Sequence, residues 1–273
     1  MNSIIFIDLD GTLLDSHKRI SIENKNEIRR AQANGSKIII CTGKVFKAAK
    51  RFAQEVGISG PLISCNGAEI RDIKNDELLY SDFLSKKDSN KIVDICRQSD
   101  IYFHAYINHD MFTEKVSCPT PLYWKENVEV EKQYRIRISI VPDFKDVIGV
   151  SPHNISKFLI VSHDSDQLLK VRKLIEKIET VNVMCSGLDN LEVVNKSVNK
   201  GAALKFISMN EKFKSYRTIA IGDSENDLSM LKSAEYRIAM GNAEKSLKNI
   251  AHFVSTTNDE SGVAKAIEQI LKL

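Results

Sequence analysis

The 273-residue chain has no long hydrophobic run. Its most apolar stretches, Ile4-Ile5-Phe6-Ile7 and Ile38-Ile39-Ile40, stop at polar residues far short of the ~20 residues that cross a bilayer. No basic segment precedes the first of them. Neither a signal peptide nor a membrane anchor is therefore expected, and the expected location is the cytoplasm. Cysteine is scarce and unpatterned. Cys41, Cys65, Cys96, Cys118 and Cys185 are odd in number and form no Cys-x-x-Cys pair, which argues for reduced thiols over a disulfide or zinc framework. There is little excess of charge. The net value of +3 gives no electrostatic case for a nucleic-acid polymer or a membrane surface as partner, and only weakly suits an anionic substrate. No repeat or low-complexity tract is present. What remains is an ordinary globular composition, 42% hydrophobic and 27% charged, with enough chain for one large domain or two modest ones.

Short buried strands alternate with helical patterns at both ends of the chain. Residues 4–7 predict a strand. Residues 21–34 predict a helix with Ser21 as N-cap and Gly35 as its stop. Residues 38–40 predict a second strand, 46–56 a helix closed by Gly57, and 62–65 a third strand. The grammar returns with strands at 218–221, 236–240 and 253–254 and a closing helix at 262–271. Such alternation implies an α/β fold with a parallel, Rossmann-like sheet. The middle differs. Residues 101–107 and 111–116 predict an antiparallel hairpin around Asn108-His109-Asp110. Residues 164–178 predict an amphipathic helix, and 181–185 and 191–194 predict strands around a turn. The expected organisation is a core built from 1–83 and 189–273, with an α+β domain inserted at 84–188.

Asp8-Leu9-Asp10-Gly11-Thr12 directly follows the first strand. In an open α/β sheet, ligands sit beyond the carboxyl ends of the strands, which is where Asp8 falls. Extended alternation sends Asp8 and Asp10 the same way, and Gly11 lets the chain turn. Two adjacent carboxylates repel unless a proton or cation lies between them, and hard oxygen ligands suit Mg²⁺. Gly222-Asp223-Ser224-Glu225-Asn226-Asp227 follows another strand and brings Asp223 to the same edge. Thr42-Gly43-Lys44 opens a helix, where it serves either as an ordinary N-cap or as a hold for a phosphate oxygen. Lys200 reads alone as a solvated lysine, but it would neutralise phosphate or clustered carboxylates. Asn66, after the third strand, is either a turn residue or a group facing the substrate.

Together these residues resemble the haloacid dehalogenase superfamily of phosphohydrolases, and within it the Cof-type branch with a large α+β cap. The correspondence runs through Asp8-Leu9-Asp10-Gly11-Thr12-Leu13, Thr42-Gly43, Lys200-Gly201 and Gly222-Asp223 with Asn226-Asp227. Asn66-Gly67-Ala68, Met240-Gly241-Asn242-Ala243 and the segment from Asp259 to Ala264 extend it, so it covers the chain in order. One departure is Lys44, where the branch usually carries arginine. Lysine lacks the planar fork that a bidentate contact at this position would need.

The resemblance implies a phosphoric monoester hydrolase. Asp8 would be the nucleophile, forming an aspartyl-phosphate, and Asp10 the general acid and base. Mg²⁺ would be held by Asp8, the Asp10 backbone carbonyl and Asp223, with Asp227 orienting this shell. Leu9, Thr42, Gly43, Lys200 and Asn226 would hold the phosphoryl group, while Asn66 and Lys44 are candidate substrate contacts. The cap would select among small phosphorylated metabolites: sugar phosphates, nucleotides or phosphorylated cofactors. Its candidate polar contacts are His104, Tyr106, Arg135, Arg137 and His153, while Tyr102, Phe103 and Phe112 are expected in the cap core. The expected assembly is a monomer or small homo-oligomer. Phosphoryl transfer of the phosphosugar-mutase kind, and a non-enzymatic metabolite-binding regulator, are the alternatives.

Overall fold

A computed structural model describes residues 2–117, 119–150 and 154–272. The chain divides into two compact units. The first comprises residues up to 44, 49–80 and those from 199 on, and the second comprises 45–48 and 81–198. The strands in chain order begin with β1 (Ser3–Ile7), β2 (Lys37–Ile40), β3 (Pro61–Ser64), β4 (Glu69–Asp72) and β5 (Leu78–Ser81). Next come β6 (Tyr102–Ile107), β7 (Asp110–Thr113), β8 (Ile138–Ile140), β9 (Ile155–Val161), β10 (Val181–Met184) and β11 (Asn190–Asn195). The last are β12 (Arg217–Gly222), β13 (Tyr236–Ala239) and β14 (Phe253–Val254).

The first unit is built on a parallel sheet in the order β14-β13-β12-β1-β2. All five residues of β1 are buried, as a strand covered on both faces requires, and this is why its sequence is an unbroken apolar run. Ser21 caps the helix Ile22–Ala33, its side chain accepting the Asn24 N–H. Gly35, at φ +86°, turns the chain back toward β2.

The third strand meets the core sheet in the expected parallel sense but takes a second, antiparallel partner. β3 runs antiparallel to β4, in a separate three-stranded sheet ordered β3-β4-β5. It touches the segment after β2 through an isolated Cys41–Ile63 bridge. A parallel partner needs a crossover of a dozen or more residues, and only residues 65–68 separate β3 from β4.

The second unit carries a six-stranded sheet ordered β10-β11-β9-β6-β7-β8. The β6–β7 hairpin forms as expected, with Asn108 and His109 both left-handed at its turn. Phe103, Ala105, Phe158 and Val193 pack on one face of the sheet with residues of the helices Lys86–Gln98, Phe144–Gly149 and Ser165–Ile175. Phe103 lies in this core and Phe112 packs against it. Tyr102 alternates to the opposite face, where its hydroxyl meets that of Thr120 at 3.1 Å.

The expected boundary at 188 also moves. β11 pairs antiparallel with both β9 and β10, so residues 190–195 belong to the second sheet. A division at 188 would cut a hairpin and expose the edges of both its strands. Among the described residues no helix is long and apolar enough to cross a membrane. Cys41, Cys65, Cys96 and Cys185 are not in disulfides. Cys118 and His153 lie outside the described residues.

Candidate active site

β1 and β12 are neighbours, yet the chain leaves β1 toward β2 on one side and β12 toward β13 on the other. The crevice between their carboxyl ends is the sheet's switch point. Asp8 stands just past β1, its N–H donating to the Ile221 carbonyl, and Asp223 stands just past β12. The loop after Asp8 curls back at once: Leu13 N–H donates to the Asp8 carbonyl and Leu14 N–H to that of Leu9. Gly11 makes this possible with φ +75°. A Cβ there would stand 2.3 Å from Asp223 Oδ2, so the loop must pass against Asp223 as bare backbone. Thr12 Oγ1 donates to Asp223 Oδ1 at 2.7 Å and fixes that carboxylate.

Lys200 is no solvated lysine. It opens the helix Lys200–Ser208, is 0% exposed, and its Nζ lies 2.7 Å from Asp8 Oδ1 and 2.7 Å from Asp227 Oδ1. Asn199 caps the helix by accepting the Ala202 N–H. The other Asp227 oxygen accepts the backbone N–H groups of Asp223 and Ser224. Asp227 therefore ties together the lysine and the turn carrying Asp223.

Oxygens of Asp8, Asp223 and Asp227 all lie within 4.8 Å of one another, close enough to hold a metal ion. One ammonium serves a cluster of three carboxylates. Burial lifts the Asp8 carboxyl well above the usual carboxylate range, and Asp227 and Asp223 add to this against the pull of Lys200. Asp223 is pushed up to about 7 by burial and by Asp227, against the Thr12 hydrogen bond and Lys200. Lys200 is held charged: burial opposes its ammonium, but Asp227 and Asp8 outweigh it.

The Asp10 carboxylate goes elsewhere. Its two oxygens take separate ammonium groups, Oδ1 from Lys18 at 2.7 Å and Oδ2 from Lys44 at 2.9 Å. Burial works against its ionised form, yet the two lysines hold its carboxyl below the usual range. Thr42 is buried and its Oγ1 accepts the Lys44 N–H, so the Thr42-Gly43-Lys44 turn closes on itself. Asn226 Nδ2 donates to Asn66 Oδ1 at 3.2 Å, and Ser224 Oγ donates to Asn226 Oδ1 at 2.9 Å. The structure thus gathers Asp8, Lys200, Asp223 and Asp227, pairs Asn66 with Asn226, and links Asp10 to Lys44. Leu9 is wholly buried and lends only its backbone to the loop.

Three contributors escaped the sequence. Thr12 was legible only as part of a turn, because its carboxylate partner lies 211 residues away. Lys18 carries no local signal; it reaches Asp10 because the loop after Leu14 folds back, with Lys18 itself left-handed at φ 60°. Asn242 stands in the C-terminal segment and donates to the Gly11 carbonyl while accepting the Asn258 N–H, which buttresses the Gly11 turn.

In the second unit His104 is buried against the Tyr106 hydroxyl, and burial lowers its pKa to about 3, so it is neutral near pH 7. Tyr106 also faces Lys157, which is buried in an ion pair with Glu192. Arg135 and Arg137 are exposed, the first donating to the Val130 carbonyl and the second paired with Asp110.

Residues 5–267 match the family model for haloacid dehalogenase-like hydrolases. A phosphatase of Bacillus subtilis, YwpJ, is 30% identical, with 98% of this chain and 99% of that protein covered. The B. subtilis 5-amino-6-(5-phospho-D-ribitylamino)uracil phosphatase YwtE is 32% identical, with 98% and 97% covered. Among solved structures, a haloacid dehalogenase-like hydrolase from B. subtilis is 29% identical with a TM-score of 0.86, covering 98% of this chain and 99% of that one. These matches run nearly end to end. The chain belongs to the haloacid dehalogenase-like hydrolase family and is an enzyme of its phosphatase branch.

Proposed function

We propose that the enzyme hydrolyses small phosphate monoesters with Mg²⁺, through an aspartyl-phosphate on Asp8. The observation that carries this is the buried cluster at the switch point, where Asp8 is held by Lys200 and faced by Asp223. Lys200 grips Asp8 through Oδ1, so Oδ2 attacks phosphorus while the bond to the ester oxygen breaks. Asp10 gives its proton to the departing alkoxide. It then takes a proton from water as that water attacks the phospho-enzyme and Asp8 leaves. At rest Asp10 is ionised between Lys18 and Lys44. An arriving phosphate dianion adds negative charge nearby and raises its proton affinity toward the acid role. Lys200, Thr42, Asn226 and the backbone at Leu9 and Gly43 supply cation and donors for the phosphoryl oxygens.

The donor set fits the metal. It is all carboxylate and carbonyl oxygen, and the raised proton affinities of Asp8 and Asp223 mark a cluster short of positive charge. Bound by Asp8, Asp223 and the Asp10 carbonyl, Mg²⁺ would neutralise the repulsion between nucleophile and phosphate. Asp227, with both oxygens engaged by Lys200 and two backbone amides, serves as the orienting group.

Substrates are small metabolites carrying a terminal phosphate: sugar phosphates, nucleotides or phosphorylated cofactors. The name of the relative YwtE, a phosphatase of a phosphoribityl compound, supports this class. The reading involves no nucleic-acid polymer and no membrane, and it places the enzyme in the cytoplasm as a monomer or small oligomer. The test is hydrolysis of p-nitrophenyl phosphate with Mg²⁺ and with EDTA, for the wild type and Asp8→Asn. Turnover should need the metal and vanish in the variant, which stays folded. Wild-type rates in Asp8→Asn would sink the mechanism.

A further inference from the structure

Three consecutive residues, Cys65, Asn66 and Gly67, have positive φ: 48°, 60° and 103°. Outside glycine that conformation is disfavoured and persists only where the surroundings over-determine it. Here they do. Cys65 N–H donates to the Lys44 carbonyl and Asn66 N–H to the Thr42 carbonyl. Gly67 lies so close to Asn199 that a Cβ would stand 2.9 Å from its carbonyl oxygen. The strained turn is therefore locked to the Thr42 loop on one side and to the start of the Lys200 helix on the other. What it delivers is the Asn66 carboxamide, 0% exposed, whose Oδ1 accepts from Asn226 Nδ2.

We propose that Asn66 is a positioning residue: it holds the Asn226 carboxamide in the orientation from which that amide donates to the transferring phosphoryl group. The inference rests on the phosphatase mechanism proposed above. A carboxamide oxygen at residue 66 accepts only from the nitrogen end of Asn226. A reversed Asn226 would set two oxygens against each other and lose the Ser224 hydroxyl bond to its own Oδ1. Asn66 thus decides which end of Asn226 is presented. The strain of the turn is the cost of placing one acceptor at one point.

The alternative is that Asn66 touches the leaving group, and the two roles separate experimentally. Asn66→Gly keeps the left-handed backbone and deletes the acceptor. As a positioning loss it should lower kcat roughly tenfold, leave KM in place, and do so by the same factor for p-nitrophenyl phosphate and for sugar phosphates. In combination with Asn226→Ala it should add nothing further, because its partner is already gone. A factor that varies with the ester, or single-variant losses that multiply in the double variant, would overturn the proposal. A second readout needs no turnover. The side-chain ¹⁵N amide pair of Asn226, identified by its absence in Asn226→Ala, should shift in Asn66→Gly, with its two proton positions converging. An unmoved pair overturns the inference even if the enzyme is active. A wild type that hydrolyses no phosphate ester defeats the proposed function, while this signal still decides whether Asn66 orients Asn226.

Discussion

Replacing Lys200 by methionine removes the only ammonium within hydrogen-bonding distance of Asp8 and Asp227 among the contacts described, and leaves a side chain of similar bulk. The site is buried, so the stranded carboxylates cannot recover the charge from water. Their escape is to take up a proton. For one aspartate with an unfolded value near ~4, staying neutral at pH 7 costs about 1.4 kcal/mol for each of about three pH units, or about 4 kcal/mol. That figure is a ceiling, because Asp8 is already raised in the wild type. The sign follows from linkage. A carboxyl whose folded value lies above its unfolded value favours the unfolded chain once ionised, so the variant's deficit grows with pH. The expected loss against wild type is at most about 4 kcal/mol at pH 7 and at most about 1.4 kcal/mol at pH 5. Urea unfolding followed by far-ultraviolet circular dichroism, in EDTA at both pH values, measures it. A loss of equal size at the two values would point to packing alone. No loss at pH 7 would mean that the ion pairs contribute nothing and that the stated electrostatics of the site are wrong.

The same raised affinities make metal binding compete with protons: with Asp223 near 7, Mg²⁺ affinity should climb by up to about tenfold per pH unit between pH 5.5 and 7 and then level off, measured by calorimetry with proton release. A flat profile would contradict this. Gly201→Ala sets two effects in opposition: alanine improves helix propensity by about 1 kcal/mol, but its Cβ would stand 2.3 Å from the Ser229 backbone oxygen. The clash should win, with a net loss of about 2 kcal/mol and a lower kcat as Lys200 shifts; a raised Tm would refute the close packing. Lys18→Ala takes one of two cations from Asp10 and should move the pH profile of kcat/KM to higher pH, and an unchanged profile would remove Lys18 from the electrostatics of the proposed general acid.

Asp8, the proposed nucleophile, was legible as a site residue because its signal is local. A buried strand, a carboxylate and a glycine turn occur within a few residues, and the same holds for β12 and Asp223. Lys200 was not legible, since a lone lysine is ordinarily solvated. What buries it are partners 192 and 27 residues away in sequence. Strand positions followed from apolar runs, and alternation with helices gave the parallel direction of β1, β2, β12, β13 and β14, but the antiparallel pairing of β3 with β4 did not follow, because a buried run looks alike in either sense. For β3 the short loop to β4 carried the missing information. The boundary at 188 failed for a related reason. The turn between β10 and β11 resembles a linker until the ladder to β9 is seen.

Lys44 is the position where departure from the family pattern and the structure bear on each other. An arginine there could bridge both oxygens of a carboxylate with its planar fork, fixing charge and orientation at once. A lysine is a point charge and takes one oxygen, as Lys44 does with Asp10 Oδ2. The other oxygen is not abandoned. Lys18 takes Oδ1 from a loop whose left-handed turn brings it there. Two point charges thus occupy the two ends that a single fork would cover, and Asp10 stays ionised and oriented at rest. The arrangement differs from a fork in one respect that matters for catalysis. The lysines sit on separate segments, so an arriving phosphate can draw one away while the other keeps its hold. In the proposed mechanism, releasing a single contact would raise the proton affinity of Asp10 without setting its carboxylate adrift, as suits a group that acts first as acid and then as base.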